Sequence, residues 1–250
     1  MQILQPGAAV PDPLALYAQA DRSHPDGRCW VLANMVGGLD GSASVGGRVG
    51  ELSGASDRAL FRALRALADV VMVGAETVRR EGYRPVALPP ELAAARQAAG
   101  RPPAPPLAVV SRSLRLDWSA PAFAAAPPES RTMIITGAAA DPQRLRQARA
   151  VADVIIAGDD RVEPGEALRH LAERGQHVVL CEGGPAWLGQ LAAAGRLDEL
   201  CLTIAPLMGG DPLPLSVTPD SSPLARFELR QVLADASTLF LRYERDRDAS

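Results

Sequence analysis

An α/β fold built on a mostly parallel sheet is what the sequence predicts, and three observations carry the prediction. Short β-rich runs alternate with helical ones along the 250-residue chain, the alternation that builds layered α/β domains. Most of these runs are continuously apolar, which suits strands covered on both faces. Apolar residues make up 47% of the chain, enough for a sizeable core.

In chain order, residues 1–27 read as a loose N-terminal tail and 28–250 as a single domain, because no shift in composition divides them and no repeat appears. Strands are expected at 30–36, 69–74, 107–111, 132–136, 153–158, 177–181 and 200–206. Segments 226–234 and 237–245 alternate apolar and polar residues and predict a terminal antiparallel hairpin. A helix over 55–68 aligns Leu60, Leu64 and Leu67 on one face, with Ser56 or Asp57 as its cap. Further helices are expected at 89–100, at 164–176 (opened by proline, closed by glycine) and at 185–200. The proline-rich stretch 101–106 reads as a stiff surface loop.

Composition narrows the function. The net charge of −3 excludes a nucleic-acid surface or a polybasic membrane patch. No apolar run reaches the ~20 residues of a membrane span, and the N-terminus lacks a signal-peptide pattern, so a cytoplasmic protein is expected. Cys29, Cys181 and Cys201 are widely spaced and fit unpaired thiols. His24, His170 and His177 form no ligand spacing, so no metal is expected. The chain has no lysine. Schiff-base and P-loop chemistry are therefore out, and anions must be met by arginine forks, helix N-termini or backbone amides.

The strongest local signal is "VVLCEGGPAWLGQLAAAG" at 178–195. A strand ends at Glu182, Gly183 and Gly184 follow, and a helix opens at Pro185. This geometry presents free amides to a phosphate, although it also describes an ordinary βα turn. The stretch 70–85 repeats the arrangement with Gly74 and Thr77, whose hydroxyl suits either a phosphate or a helix cap. Ser111 and Arg112 end a third strand and suit a 2′-phosphate, as an exposed loop pair would also look. Gly137 ends a fourth. In "LANMVGGLDGSAS" (32–44) a strand breaks into glycines around Asp40, which marks either a tight turn or a close approach to a ligand. Such turns converge at the carboxyl edge of one sheet, where open α/β sheets bind ligands.

The ordered set "ANMVGGLDGSA", "LSGASDRALFRALRALADVVMVGAETVRREGYRP" and "LCEGGPAWLGQLAAAGRLDELCLTIAPLMGGD" resembles the reductase domain of riboflavin biosynthesis, over roughly residues 28–245. The resemblance implies a dihydrofolate-reductase-like fold and an NADPH-dependent oxidoreductase. Its reaction would reduce the ribosyl group of 5-amino-6-(5-phosphoribosylamino)uracil to ribityl. It implies a homodimer as well. It places Gly37, Gly74, Thr77, Ser111, Arg112, Gly137, Gly183, Gly184 and Pro185 at the cofactor. Asn34, Ser53, Arg65 and Arg84 fall on the substrate side, and Asp40 and Glu182 at the reacting groups. Asp40 is expected to have a raised pKa and to hold or protonate the substrate.

Two departures lie on the substrate side. Asn34 stands where the family often has lysine, and "REGYRP" replaces "DxPxLxxR", leaving Arg84 as the nearest second arginine. The deaminase partner domain of the family is missing from this sequence. A pterin reductase of the same fold, acting on dihydrofolate for example, is the competing expectation. A non-catalytic NADP-binding protein is a third.

Overall fold

The structure is a computed structural model and describes residues 7, 9, 10 and 12–247. Nine strands form one sheet: β1 (Trp30–Gly37), β2 (Val70–Gly74), β3 (Leu107–Val110), β4 (Met133–Thr136), β5 (Asp153–Ile156), β6 (Val178–Cys181), β7 (Glu199–Ile204), β8 (Phe227–Asp235) and β9 (Thr238–Arg245). The order is β5-β4-β3-β2-β6-β1-β7-β9-β8. The first seven strands run parallel, and β9 pairs antiparallel with both β7 and β8. Every strand expected from the sequence is present, with ends that move by a few residues.

The continuous apolar runs follow from burial on both faces. Leu32 points into one core with Leu60, Leu64 and Val71, while its neighbours Val31 and Ala33 point into the other with Leu188 and Leu191. The first face is covered by α1 (Pro13–Ala18), α2 (Ala55–Leu67), α3 (Ala75–Glu81) and α5 (Pro121–Ala124), while α4 (Pro90–Ala98) sits against the end of α2, where Arg96 donates to Ala66 and Ala68 C=O. α6 (Pro142–Val151) adds Leu145 and Val151 to the same face. The opposite face is covered by α7 (Pro164–Ala172) and α8 (Pro185–Ala193).

Two expectations are corrected. Residues 12–27 are not loose: Tyr17 is fully buried against the sheet, and Arg22 forks onto Glu199 through Nε and Nη2, each at 2.8 Å. Residues 1–6, 8 and 11 of the expected tail lie outside the described residues. Neither Ser56 nor Asp57 caps α2. Gly54 takes the cap position, and Asp57 turns inward, where it is buried.

Candidate active site

A cleft of ≈1480 Å³ opens at the carboxyl ends of β1, β2, β3 and β6. Its position follows from the strand order. The chain adds β2 to β5 outward on one side and then returns to insert β6 between β2 and β1, so the following loops splay apart there.

Two glycine turns form the floor. Gly183 sits in the left-handed region at φ 85, and a side chain on Gly184 would stand 3.0 Å from Thr77 Oγ1. The turns are stitched together by Gly74 N–H donating to Gly183 C=O at 3.0 Å. Among the described residues no side chain caps α3 or α8; in the first turn of α8, Pro185 has no N–H and the Trp187 and Leu188 amides donate to Gly184 C=O, which leaves the Ala186 amide to meet an anion. Thr77 therefore lines the cleft beside Gly184 instead of capping its helix. At the end of β3, Ser111 Oγ accepts from Leu114 N–H, while Arg112 lines the cleft and has no partner among the described residues.

The other flank of the cleft centres on Glu182. Arg65 donates to it through Nε at 2.6 Å and Nη2 at 2.7 Å, and Tyr83 Oη donates at 2.8 Å. Arg65 also lies over the Phe61 ring at 4.1 Å, a cation–π contact that fixes its plane. Burial and then the neighbouring Glu182 push the Tyr83 phenol well above its ordinary pKa, so Tyr83 holds its proton as a hydrogen-bond donor. Arg62, one turn before Arg65, is exposed, lines the cleft and has no partner among the described residues.

A second buried acid lines the cleft beside β1 and β7. Asp57 accepts from Ser53 Oγ at 2.5 Å and from Thr203 Oγ1 at 2.6 Å. Asn34 lines the same cleft, and its Oδ1 is buried with no partner among the described residues.

Of the residues expected from sequence, the cleft gathers Asn34, Ser53, Arg65, Gly74, Thr77, Ser111, Arg112, Glu182, Gly183, Gly184 and Pro185. It does not gather Gly37, Asp40, Arg84 or Gly137. Gly37 faces Leu215 and Ser42, and a side chain on Gly137 would stand 2.2 Å from Asp159 C=O. Both serve close passage of the chain against itself. Arg84 is exposed away from the cleft. Asp40 is corrected in its chemistry too: it accepts from Ser42 Oγ at 2.6 Å and from Gly209 N–H at 2.8 Å. The hydrogen bonds from Ser42 and Gly209 hold its pKa down at about 2, the reverse of a proton donor. Sequence reasoning did not single out Tyr83 or Phe61, and it read Asp57 only as a cap. "REGYRP" did mark Tyr83's stretch as unusual.

A parallel sheet split by a nucleotide-sized cleft, with glycine turns on one wall and an acid–arginine–tyrosine cluster on the other, defines an α/β ligand-binding domain of the reductase class. The family described as the RibD C-terminal domain matches residues 29–241, and the chain belongs to it. A 2,5-diamino-6-ribosylamino-4(3H)-pyrimidinone 5′-phosphate reductase from Archaeoglobus fulgidus is 30% identical over 184 residues, covering 73% of this chain and 83% of that one. One of the same name from Methanothermobacter thermautotrophicus is 30% identical over 183 residues, covering 73% and 80%. The crystal structure of a pyrimidine reductase-like protein from Corynebacterium diphtheriae superposes with a TM-score of 0.84 at 31% identity, over 95% of this chain and all of that one. A riboflavin biosynthesis reductase of Saccharomyces cerevisiae shares the fold, with a TM-score of 0.63 at 14% identity, over 94% of this chain and 96% of that one.

Proposed function

We infer that this chain is an NADPH-dependent oxidoreductase of riboflavin biosynthesis. It reduces the ribosyl group of a 5-phosphoribosylamino-pyrimidine to a ribityl chain. The observation that carries the reading is the joining, in one cleft, of an open glycine floor and the buried Glu182–Arg65–Tyr83 cluster.

The floor fits a dinucleotide. Gly183 and Gly184 remove the side chains that would block a diphosphate, and the positive end of α8, with the Ala186 amide uncommitted, favours its charge. Thr77 Oγ1 lies at the same point. Arg112, free of protein partners, suits the 2′-phosphate that distinguishes NADPH from NADH. When bound, the cofactor supplies the hydride.

The reaction needs the ribose opened to an imine, hydride delivered to C1′ and a proton to the adjoining nitrogen. The protein's contribution is orientation. Arg62 offers a free cation for the ribosyl phosphate, and Arg65 keeps Nη1 uncommitted beside it. Glu182 is the carboxylate assigned to the ribose, held rigid by its three donors, with one lone pair of Oε1 left to accept a sugar hydroxyl. The exposed, adjoining Leu39, Leu207 and Met208 support a homodimer through this face, which sedimentation would test.

The decisive experiment follows NADPH oxidation by the purified protein with the deaminated pyrimidine, its 2-amino precursor and dihydrofolate in parallel. Turnover of a ribosylaminopyrimidine phosphate supports the reading. Turnover of dihydrofolate alone replaces it with a pterin reductase.

A further inference from the structure

We propose that Asp57 is the residue that reads the pyrimidine ring, and that it selects a ring carrying a 2-amino group beside N3–H over one carrying a 2-oxo group. The proposal rests on the reductase reading above and names which ring that site accepts.

Glu182 and Asp57 are buried carboxylates lining the cleft on opposite flanks of β1. Glu182 is committed to Arg65 and Tyr83. Among the described residues Asp57 has no arginine partner; it is held by Ser53 and Thr203, one hydroxyl on each oxygen. Each oxygen therefore keeps a lone pair. The two donors come from different places, the turn before α2 and the strand β7, so the carboxylate is fixed in plane and ready before any ligand arrives.

The neighbouring register supports the assignment. Asn34 pairs with Cys201 and Val36 with Thr203 in the parallel β1–β7 ladder, so Asn34 lies on the same sheet face as Thr203 and Asp57. Its Oδ1 is buried and unpartnered. A buried acceptor without a donor is costly in a protein alone, and a ligand N–H removes that cost. This wall of the cleft is thus rich in acceptors and waits for donors.

A 2-aminopyrimidin-4(3H)-one presents such an edge: N3–H and the 2-amino N–H lie side by side and match both carboxylate oxygens. The uracil ring presents N3–H beside the C2 carbonyl, so one carboxylate oxygen would face a carbonyl lone pair. A site that loses a buried hydrogen bond in this way discriminates by several orders of magnitude at best, and by about 100-fold at a conservative floor. An asparagine at this position offers one acceptor and one donor, the complement of the uracil edge.

The test measures equilibrium binding and NADPH oxidation with the 2-amino and 2-oxo forms of the phosphoribosylamino-pyrimidine, for wild type, Asp57→Asn and Thr203→Val. Wild type is expected to favour the 2-amino ring by about 100-fold in kcat/KM. Asp57→Asn is expected to abolish or invert that ratio while NADPH affinity stays the same. Thr203→Val, which keeps the carboxylate and loses one of its holders, is expected to shrink the ratio several-fold without inverting it. Equal handling of the two rings by wild type overturns the proposal and leaves the reductase reading standing. So does an Asp57→Asn variant that loses both rings equally. Selective binding of the 2-amino ring with reduction of neither supports the proposal and overturns the reductase reading. Should Asp57→Asn fail to fold, the wild-type ratio together with Thr203→Val decides.

Discussion

Asp40 shows how one residue type serves two ends. From the sequence, a carboxylate among glycines after a strand reads equally as catalyst or turn-former. The structure gives it to the turn, with Ser42 and Gly209 as donors. Because its folded pKa lies near 2, below the unfolded value, the stability it contributes is present above the unfolded pKa and is lost as pH falls toward about 2. Asp40→Asn should therefore leave the pH–rate profile of reduction unchanged while lowering the thermal midpoint at neutral pH. A profile that loses a limb would return Asp40 to the chemistry. Glu182, Gly183, Gly184 and Thr77 were legible because strand, glycine pair and helix are contiguous in sequence. Asp57 was not, since what defines it is a hydroxyl on Thr203, 146 residues away. Tyr83 was hidden the same way: only folding brings its phenol to Glu182, 99 residues on.

At the scale of elements, the strands were readable because two-sided burial leaves an uninterrupted apolar signature. α1, α5 and α6 were not singled out; the first two run only six and four residues, and α6 carries one fully buried residue, Ala148. One helix–loop contact governs the cleft. The segment after β7 crosses α8, with Val217 N–H donating to Pro185 C=O at 3.0 Å. It passes so close that a side chain on Gly189 would stand 1.8 Å from Val217 C=O. Val217 and Leu213 line the cleft. Gly189→Ala must push this segment off the helix, costing about 1–3 kcal/mol by overpacking. It should raise KM more than it lowers kcat, with thermal melts and steady-state kinetics as the measurements.

Across the whole molecule, the edge opposite the cleft is closed by a buried ionic network. Glu199, fully buried, accepts from Arg22, Arg242 and Trp30, and Asp198 beside it accepts from Arg28, Arg247 and the Val31 amide. Burial pushes the Glu199 pKa up, but Arg22 and Arg242 outweigh it and the net direction is down. The stability it contributes is thus present above the unfolded carboxylate pKa and is lost as pH falls through the lowered folded value. Glu199→Ala strips the carboxylate from buried Arg22 and leaves Arg242 with Glu244 alone, and should cost about 3 kcal/mol, read by denaturant unfolding, with residues 12–27 becoming the first site of proteolysis. The docking of the N-terminal segment on the sheet was not legible in the sequence, because Arg22 and Glu199 are 177 residues apart. The strand order also sets a timetable. β1 has neither neighbour, and β2 lacks one, until β6 and β7 have been synthesised. During translation everything before β6 must therefore wait with open strand edges, at the stage when chains associate wrongly. A ribosome stalled before residue 181 would hold a nascent chain that needs a chaperone and still lacks the Gly183–Gly184 turn of its cleft.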